Sequence, residues 1–316
     1  MGIAEKTAVV ETSIVARRLG IDVGGSATRW HMTDGATFAH RTGEAHGFSG
    51  HILTQPDMLK RAEQAIEAIG KNVGAVDRVV AGVTGLSRNT DEASQLSSML
   101  AKAFTATHVM VISDIELASR AAFPAGQGIL VYAGTGSIAA HTTLSGQLLT
   151  AGGKGVLIDD AGGGYWIAVS ALRAVLRAED AQPGSGWSTL LGEAFAKTLG
   201  GKSWPAVRSA FYALDRGGVA MLARCVGEAA QGGDETAREI LQSAGQELAM
   251  LAATLTNHVG QQPIILAGGV ATLHNAILKR IVDAFPDISV VQKTLTPAKT
   301  AAELAMSIQF FNAHGG

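Results

Sequence analysis

The sequence predicts an α/β protein built from one repeated unit: three strands, then helices alternating with strands. Three observations carry this. Two glycine-rich turns, Gly24-Gly25-Ser26 and Gly134-Thr135-Gly136, each join two apolar β-like runs. Each hairpin opens the same order of elements, β-β-β-α-β-α-β-α, complete in the first half and largely repeated in the second. Apolar residues make up 47 % of the 316 positions and charged residues only 16 %, which suits strands buried under helices.

Taken in order, residues 1–17 read as an extension ahead of the first strand. Arg18–Val23, Ala27–Thr33 and Thr37–Thr42 are strands, turned at Gly24-Gly25-Ser26 and at Asp34-Gly35. Gln55–Lys71 is a helix, because Met58, Ala62, Ala65, Ile66 and Ile69 share one face. Val76–Val83 is a strand. Thr90 caps a helix that runs to Phe104, with Asp91 and Glu92 in its first turn. The strand His108–Ser113 and a helix Glu116–Phe123 complete the first copy. Pro124-Ala125-Gly126 then breaks the pattern. Strands Ile129–Ala133, Ser137–Thr143 and Gln147–Thr150 restart it. Helices follow over Gly164–Ala178, Thr189–Leu199, Trp204–Leu214, Val219–Gln231 and Thr236–Val259. Strand Pro263–Ala267, helix Leu273–Ala284, strand Ile288–Gln292 and a last helix Thr300–Ala313 close the chain. The expected domains are a first lobe over 18–123, rejoined by a C-terminal helix in 300–316, and a second over 124–299. The second lobe carries a helical insertion over 164–259.

Composition excludes several classes. The formal net charge is −2 and no basic patch is rich enough to propose nucleic acid as a partner. Cys225 is the single cysteine, so there is neither a disulfide framework nor a cysteine metal cluster, and a cytoplasmic setting is expected. No apolar run reaches the ~18 residues of a membrane span. Residues 1–17 carry Glu5, Lys6 and Glu11 in place of a signal-peptide apolar block.

The glycine turns carry chemistry. Glycine admits positive φ and a close approach of main-chain N–H groups to an anion. Two such hairpins, one per half, can grip a polyphosphate from both sides, through Gly24, Gly25, Ser26 and Thr28 and through Gly134, Thr135, Gly136 and Ser137. The second offers two hydroxyls as well. An acidic residue beside a phosphate nest is repulsive without a cation, so Asp22 is the expected Mg²⁺ ligand, directly or through water. An ordinary hairpin is the plainer reading of each turn. Gly134-x-Gly136-x-x-Ala139 mimics a dinucleotide fingerprint, but that needs a helix at the turn, and Ile138–Leu144 reads as a strand. Asp114 ends an apolar strand, where α/β sheets place ligands. It suits a general base and a helix N-cap equally. Asp159 and Asp160 precede three glycines and a helix, so Asp160 is either a ligand-facing carboxylate or a stabiliser of the helix dipole. Gly268 and Gly269 lie between a buried strand and a helix whose N-terminus can face a ligand.

The chain resembles the actin/hexokinase/Hsp70 ATPase superfamily, and within it the BadF/BadG family that contains N-acetylglucosamine kinase. The resemblance rests on Gly20–Thr28, Ile112-Ser113-Asp114, Gly134–Ser137, Gly152–Gly155 with Asp160–Ala168, and Ala267–Ala271, in that order. It implies two ribonuclease H-like lobes with a cleft between them, ATP and Mg²⁺ as cofactors, and transfer of the γ-phosphate to a sugar 6-hydroxyl. It makes Asp114 the base, the two hairpins the β/γ-phosphate contacts, and Gly268 and Gly269 the adenosine site. Thr84 and Gly85 border the sugar. His46 and Ser49 stand where the family has a sugar-touching asparagine. The family's Gly-Asp-Glu-Gly-Ser loop reads Asp159-Asp160-Ala161-Gly162-Gly163 here, so Asp160 takes the sugar-binding position while its neighbours depart. N-acetylglucosamine is the first expected acceptor, with glucosamine or another hexose next, and a homodimer is a family expectation. Two rivals remain: a sugar sensor without kinase activity, which predicts a missing base, and an iron–sulfur activator ATPase, which needs two cysteines per chain.

Overall fold

A computed structural model describes residues 16–50, 53–87 and 89–306. The expected extension lies outside the described residues up to position 15, and so does the expected last helix beyond position 306. The chain divides into two units, one running to Ala121 and resuming at Thr296, the other spanning Ala122–Leu295.

The first unit holds strands β1 (Arg18–Val23), β2 (Ala27–Thr33), β3 (His40–His46), β4 (Arg78–Val83) and β5 (His108–Ser113). Its helices are α1 (Pro56–Val73), α2 (Asp91–Phe104), α3 (Asp114–Ala122) and, after the chain returns, α11 (Pro297–Leu304). The sheet order is β3-β2-β1-β4-β5, with β1 antiparallel to β2 and parallel to β4. Strand alternation sorts its side chains into two cores. Val79, Ala81, Val83 and Val111 face α1 and α2 through Ile66, Ile69, Leu96 and Phe104. Val80, Met110 and Ile112 face the other way, onto Leu117 of α3, Ala301 of α11 and Ala305 just after it.

Gly20 belongs to that second face, and a Cβ there would overlap the backbone of α11 at Ala298 and Ala302. Because the obstacle is main chain, Gly20→Ala must push the whole helix away. We expect a loss of at least ~2 kcal/mol, read as a lower midpoint in urea unfolding.

The second unit repeats the plan. Strands β6 (Ile129–Ala133), β7 (Ser137–Thr142), β8 (Leu148–Gly152), β9 (Ile264–Ala267) and β10 (Val290–Gln292) form a sheet of order β10-β9-β6-β7-β8, the same arrangement as in the first. Between β8 and β9 lie α4 (Gly164–Ala181), α5 (Leu190–Leu199), α6 (Trp204–Tyr212), α7 (Arg216–Met221), α8 (Ala223–Gly232) and α9 (Glu235–Val259). A 3₁₀ turn (Gly269–Thr272) and α10 (Asn275–Ala284) follow β9. The core runs from Ile129, Val131 and Ala139 of the sheet through Leu241, Leu248 and Leu255 of α9 to Phe195 of α5. Cys225 is buried on α8, with Thr198 Oγ1 3.3 Å from its sulfur. Among the described residues, no helix is long and apolar enough to cross a membrane.

Four expectations are corrected. The third strand begins at His40, not Thr37, and runs to His46. Asp34 Oδ1 accepts from the N–H groups of Ala36 and Thr37, and Phe38 takes a left-handed φ of 56°, so Asp34-Gly35 opens a longer turn. The single helix expected over Val219–Gln231 is two. Asp215 caps α7 early through Gly218 N–H, and the chain breaks at Leu222, whose carbonyl accepts from Cys225 N–H. The helix after β5 starts at Asp114 rather than Glu116, and the helix after β9 starts at Asn275 rather than Leu273.

Candidate active site

In the first unit, Asp114 follows the last residue of β5 and opens α3. The cap is supplied by its neighbour: Glu116 N–H donates to Ser113 Oγ at 3.2 Å. Asp114 Oδ1 instead accepts from Ile115 N–H at 2.8 Å, and the Thr84 hydroxyl donates to its carboxyl. Burial pushes the Asp114 pKa up, while those hydrogen bonds pull against the shift. Glu116 is buried and pairs with Arg120 at 3.0 Å.

Asp22 lies on β1, level with Gly82 of β4. Burial first, then the nearby Asp114, raise its pKa from 3.8 to about 6, and Arg29 opposes them weakly. A carboxylate whose proton affinity is raised by burial and by a second carboxylate marks a place short of positive charge. Their hard oxygens are the donor chemistry that Mg²⁺ prefers, so the residues fit the expected ion.

The first hairpin turns over Gly24–Ala27, closed by Gly24 N–H to Ala27 C=O at 2.9 Å. Gly25 and Ser26 are exposed at its tip. Contrary to expectation, neither Gly24 nor Gly25 needs a positive φ. Thr28 is a correction too: it is fully buried and its hydroxyl donates to His46 C=O at 2.8 Å, so that hydroxyl holds β2 to β3 and does not lie open at the turn. His46 is exposed at the end of β3. Thr84 and Gly85 follow β4, where Thr84 N–H donates to Val23 C=O and Gly50 N–H to Thr84 C=O. The structure therefore gathers Asp22, Thr84 and Asp114 at the carboxyl ends of β1, β4 and β5.

In the second unit the hairpin is one residue tighter: Gly134 N–H donates to Gly136 C=O at 2.9 Å, and Ala133 pairs with Ser137. Residues after the turn form β7, so the dinucleotide alternative falls. Thr135 is exposed, whereas Ser137 is buried and donates to Ala161 C=O at 2.7 Å. Only one of the two expected hydroxyls therefore reaches the surface. The hairpin also caps α4, since Gly164 N–H donates to Gly134 C=O and Tyr165 N–H to Thr135 C=O. Asp160 does not cap that helix; it is buried, with Oδ1 accepting from Gly155 N–H at 3.0 Å. Gly268, at φ 97°, packs against the Ala133 main chain, and the 3₁₀ turn Gly269–Thr272 stands between it and α10.

Sequence reasoning missed Ser113 as the cap, the Thr84 bond to Asp114, and the inward turn of Thr28 and Ser137. The first had a signal, since Ser-x-x-Glu over Ser113–Glu116 is a capping-box pattern. The others depend on partners far along the chain.

Two mixed five-stranded sheets of one order, each opening on a glycine hairpin, define the two-lobe fold of the actin-like ATPases and sugar kinases. The chain belongs to the BadF/BadG/BcrA/BcrD ATPase family, whose model matches residues 19–305. An N-acetylmuramic acid/N-acetylglucosamine kinase of Clostridium acetobutylicum is 26 % identical over 304 residues, 92 % of this chain and 98 % of that one. An N-acetyl-D-glucosamine kinase of Dictyostelium discoideum is 24 % identical over 317 residues, covering 92 % and 97 %. In fold, the chain is similar to a candidate N-acetylglucosamine kinase of Chromobacterium violaceum (TM-score 0.73, 22 % identity, 93 % and 99 % covered). It is also similar to a ROK family glucokinase of Streptomyces griseus solved with glucose and AMPPNP (TM-score 0.58, 14 % identity, 92 % and 99 % covered).

Proposed function

We propose that this protein is an ATP-dependent amino-sugar kinase that phosphorylates the 6-hydroxyl of N-acetylglucosamine. Asp114 is the observation that carries the reading: a half-buried carboxylate at the carboxyl end of β5, beside β4, released from capping by Ser113 and aimed by Thr84. Both curated relatives are named as kinases of this sugar and match along almost their whole length, which supports the acceptor.

Asp114 takes the proton of the attacking hydroxyl as its oxygen bonds to the γ-phosphorus. The bond from that phosphorus to the bridging oxygen breaks, and ADP leaves. A positioned base is worth ~10²–10⁴-fold, and burial moves this carboxylate toward the range where it can act as one. Asp22 would hold Mg²⁺, directly or through water. The ion, when bound, neutralises phosphate charge. Gly24 and Gly134 spend their N–H groups closing their turns, so Gly25, Ser26, Thr135 and Gly136 are the phosphate donors. Gly268 and Gly269 receive the nucleoside, while Thr84, Gly85 and His46 border the sugar. Catalysis is then mostly placement and electrostatics.

The test is ADP release from ATP and Mg²⁺ over a panel holding N-acetylglucosamine, glucosamine, N-acetylmuramic acid and glucose. N-acetylglucosamine should give the highest kcat/KM. Absence of sugar-stimulated turnover with every member would sink the kinase reading.

A further inference from the structure

Asp160 has an unusual setting. It is a non-glycine residue at φ 58°, in the left-handed region that only asparagine and aspartate enter with ease. Such an outlier persists where its surroundings hold it in place. Here they do: the residue is 8 % exposed and Oδ1 accepts from Gly155 N–H at 3.0 Å. Its carboxylate lies so close behind Gly136 that a Cβ at Gly136 would overlap it. Gly136 itself has no positive φ, so the aspartate, and not the backbone angle, is what demands glycine there.

Further bonds tie the same three stretches together. Gly153 N–H donates to Ser137 C=O, Gly163 N–H to Asp160 C=O, and Ser137 Oγ to Ala161 C=O. Gly164 and Tyr165 donate to the hairpin carbonyls. Residues 134–137, 152–155 and 159–165 therefore form one hydrogen-bonded block with the Asp160 carboxylate inside it. The carboxylate is thus held against the hairpin, with Oδ2 in the space that a side chain at Gly136 would fill.

We propose that Asp160 is a positioning residue for the second phosphate hairpin: bound to Gly155 N–H and packed against Gly136, it sets the main chain of Gly134–Ser137 in the form that receives the nucleotide's phosphates. The role rests on the kinase reading for its kinetic consequence but not for its effect on nucleotide affinity.

The experiment compares Asp160→Ala and Asp160→Asn in the full chain. It measures kcat, KM for ATP, KM for N-acetylglucosamine, and binding of a non-hydrolysable ATP analogue by calorimetry. Asp160→Ala should weaken analogue binding and raise the KM for ATP by about tenfold or more, the scale of one hydrogen bond to a charged group. The KM for the sugar should stay within about threefold. Asp160→Asn keeps an oxygen for Gly155 N–H and tolerates the left-handed backbone, so it should restore most of the affinity. If Asp160→Ala does not fold, Gly136→Ala attacks the same contact from the hairpin side and should weaken the analogue in the same way. A raised KM for the sugar with unchanged analogue affinity would overturn the proposal and make Asp160 a sugar ligand. Unchanged analogue affinity in all the variants that fold would overturn it as well. Should the wild type bind the analogue yet phosphorylate no sugar, the kinase reading fails, and the analogue affinities still decide the role of Asp160.

Discussion

Asp114→Asn is expected to lower kcat by at least ~10²-fold while affinity for an ATP analogue stays within about threefold. The substitution keeps the size of the side chain and an oxygen for Ile115 N–H, the bond that anchors Oδ1 at 2.8 Å. It removes the negative charge and with it the capacity to take a proton. Stability should not fall, because the first turn of α3 is capped by Ser113 and burial disfavours the charge that is removed. Ser113→Ala supplies the contrast: losing a cap costs ~1 kcal/mol, so it should lower the melting temperature. A capping role for Asp114 predicts the opposite pattern, and a mild fall in kcat together with a clear loss of stability in Asp114→Asn would return it to that role.

Asp22→Asn should make the free protein more stable at pH 8 while removing activity. The Asp22 carboxyl titrates at about 6 in the fold against an ordinary 3.8. A raised folded-state value means the folded protein holds the proton more tightly than the unfolded chain does. Stability is then fully present below pH 3.8, falls as pH rises from 3.8 to 6, and stays reduced above 6. At 1.36 kcal/mol per unit the full effect is on the order of 2–3 kcal/mol. Asparagine carries no charge at any pH, so the variant loses this slope. Urea unfolding at pH 4, 6 and 8 should show a stability gap, variant over wild type, that opens with pH. Adding Mg²⁺ should narrow the gap at pH 8 by stabilising the wild type alone. A gap that does not change with pH would remove the charge argument for Asp22.

Much of the fold was legible because its signals are local. The runs Arg18–Val23 and Ile129–Ala133 are apolar and bounded by glycine turns, and both strands have the expected ends. The stripe Ala62, Ala65, Ile66 and Ile69 is buried as helical spacing requires. Thr90 caps α2 through Ala93 N–H at 3.2 Å. Where reading failed, a side chain had chosen an unforeseen backbone partner. Asp34 tied down Ala36 and Thr37 and delayed β3, and Asp215 started α7 ahead of the apolar pattern. A propensity pattern carries no information on which of several nearby N–H groups a carboxylate will accept from.

The site divides in the same way. By itself the sequence determined the duplicated order of elements, the two glycine hairpins that open each copy, and Asp114 at the end of a strand. Periodicity and turn chemistry act over a few residues and survive in any context. Only the tertiary structure decided which polar groups remain available for chemistry. It turned Thr28 toward His46, 18 positions away, and Ser137 toward Ala161, 24 positions away. It set Thr84 on Asp114 and drove Asp160 in behind Gly136. A buried polar group must find a partner or bear a desolvation cost of ~1–3 kcal/mol, and the packed chain, not the local sequence, determines which partner is within reach.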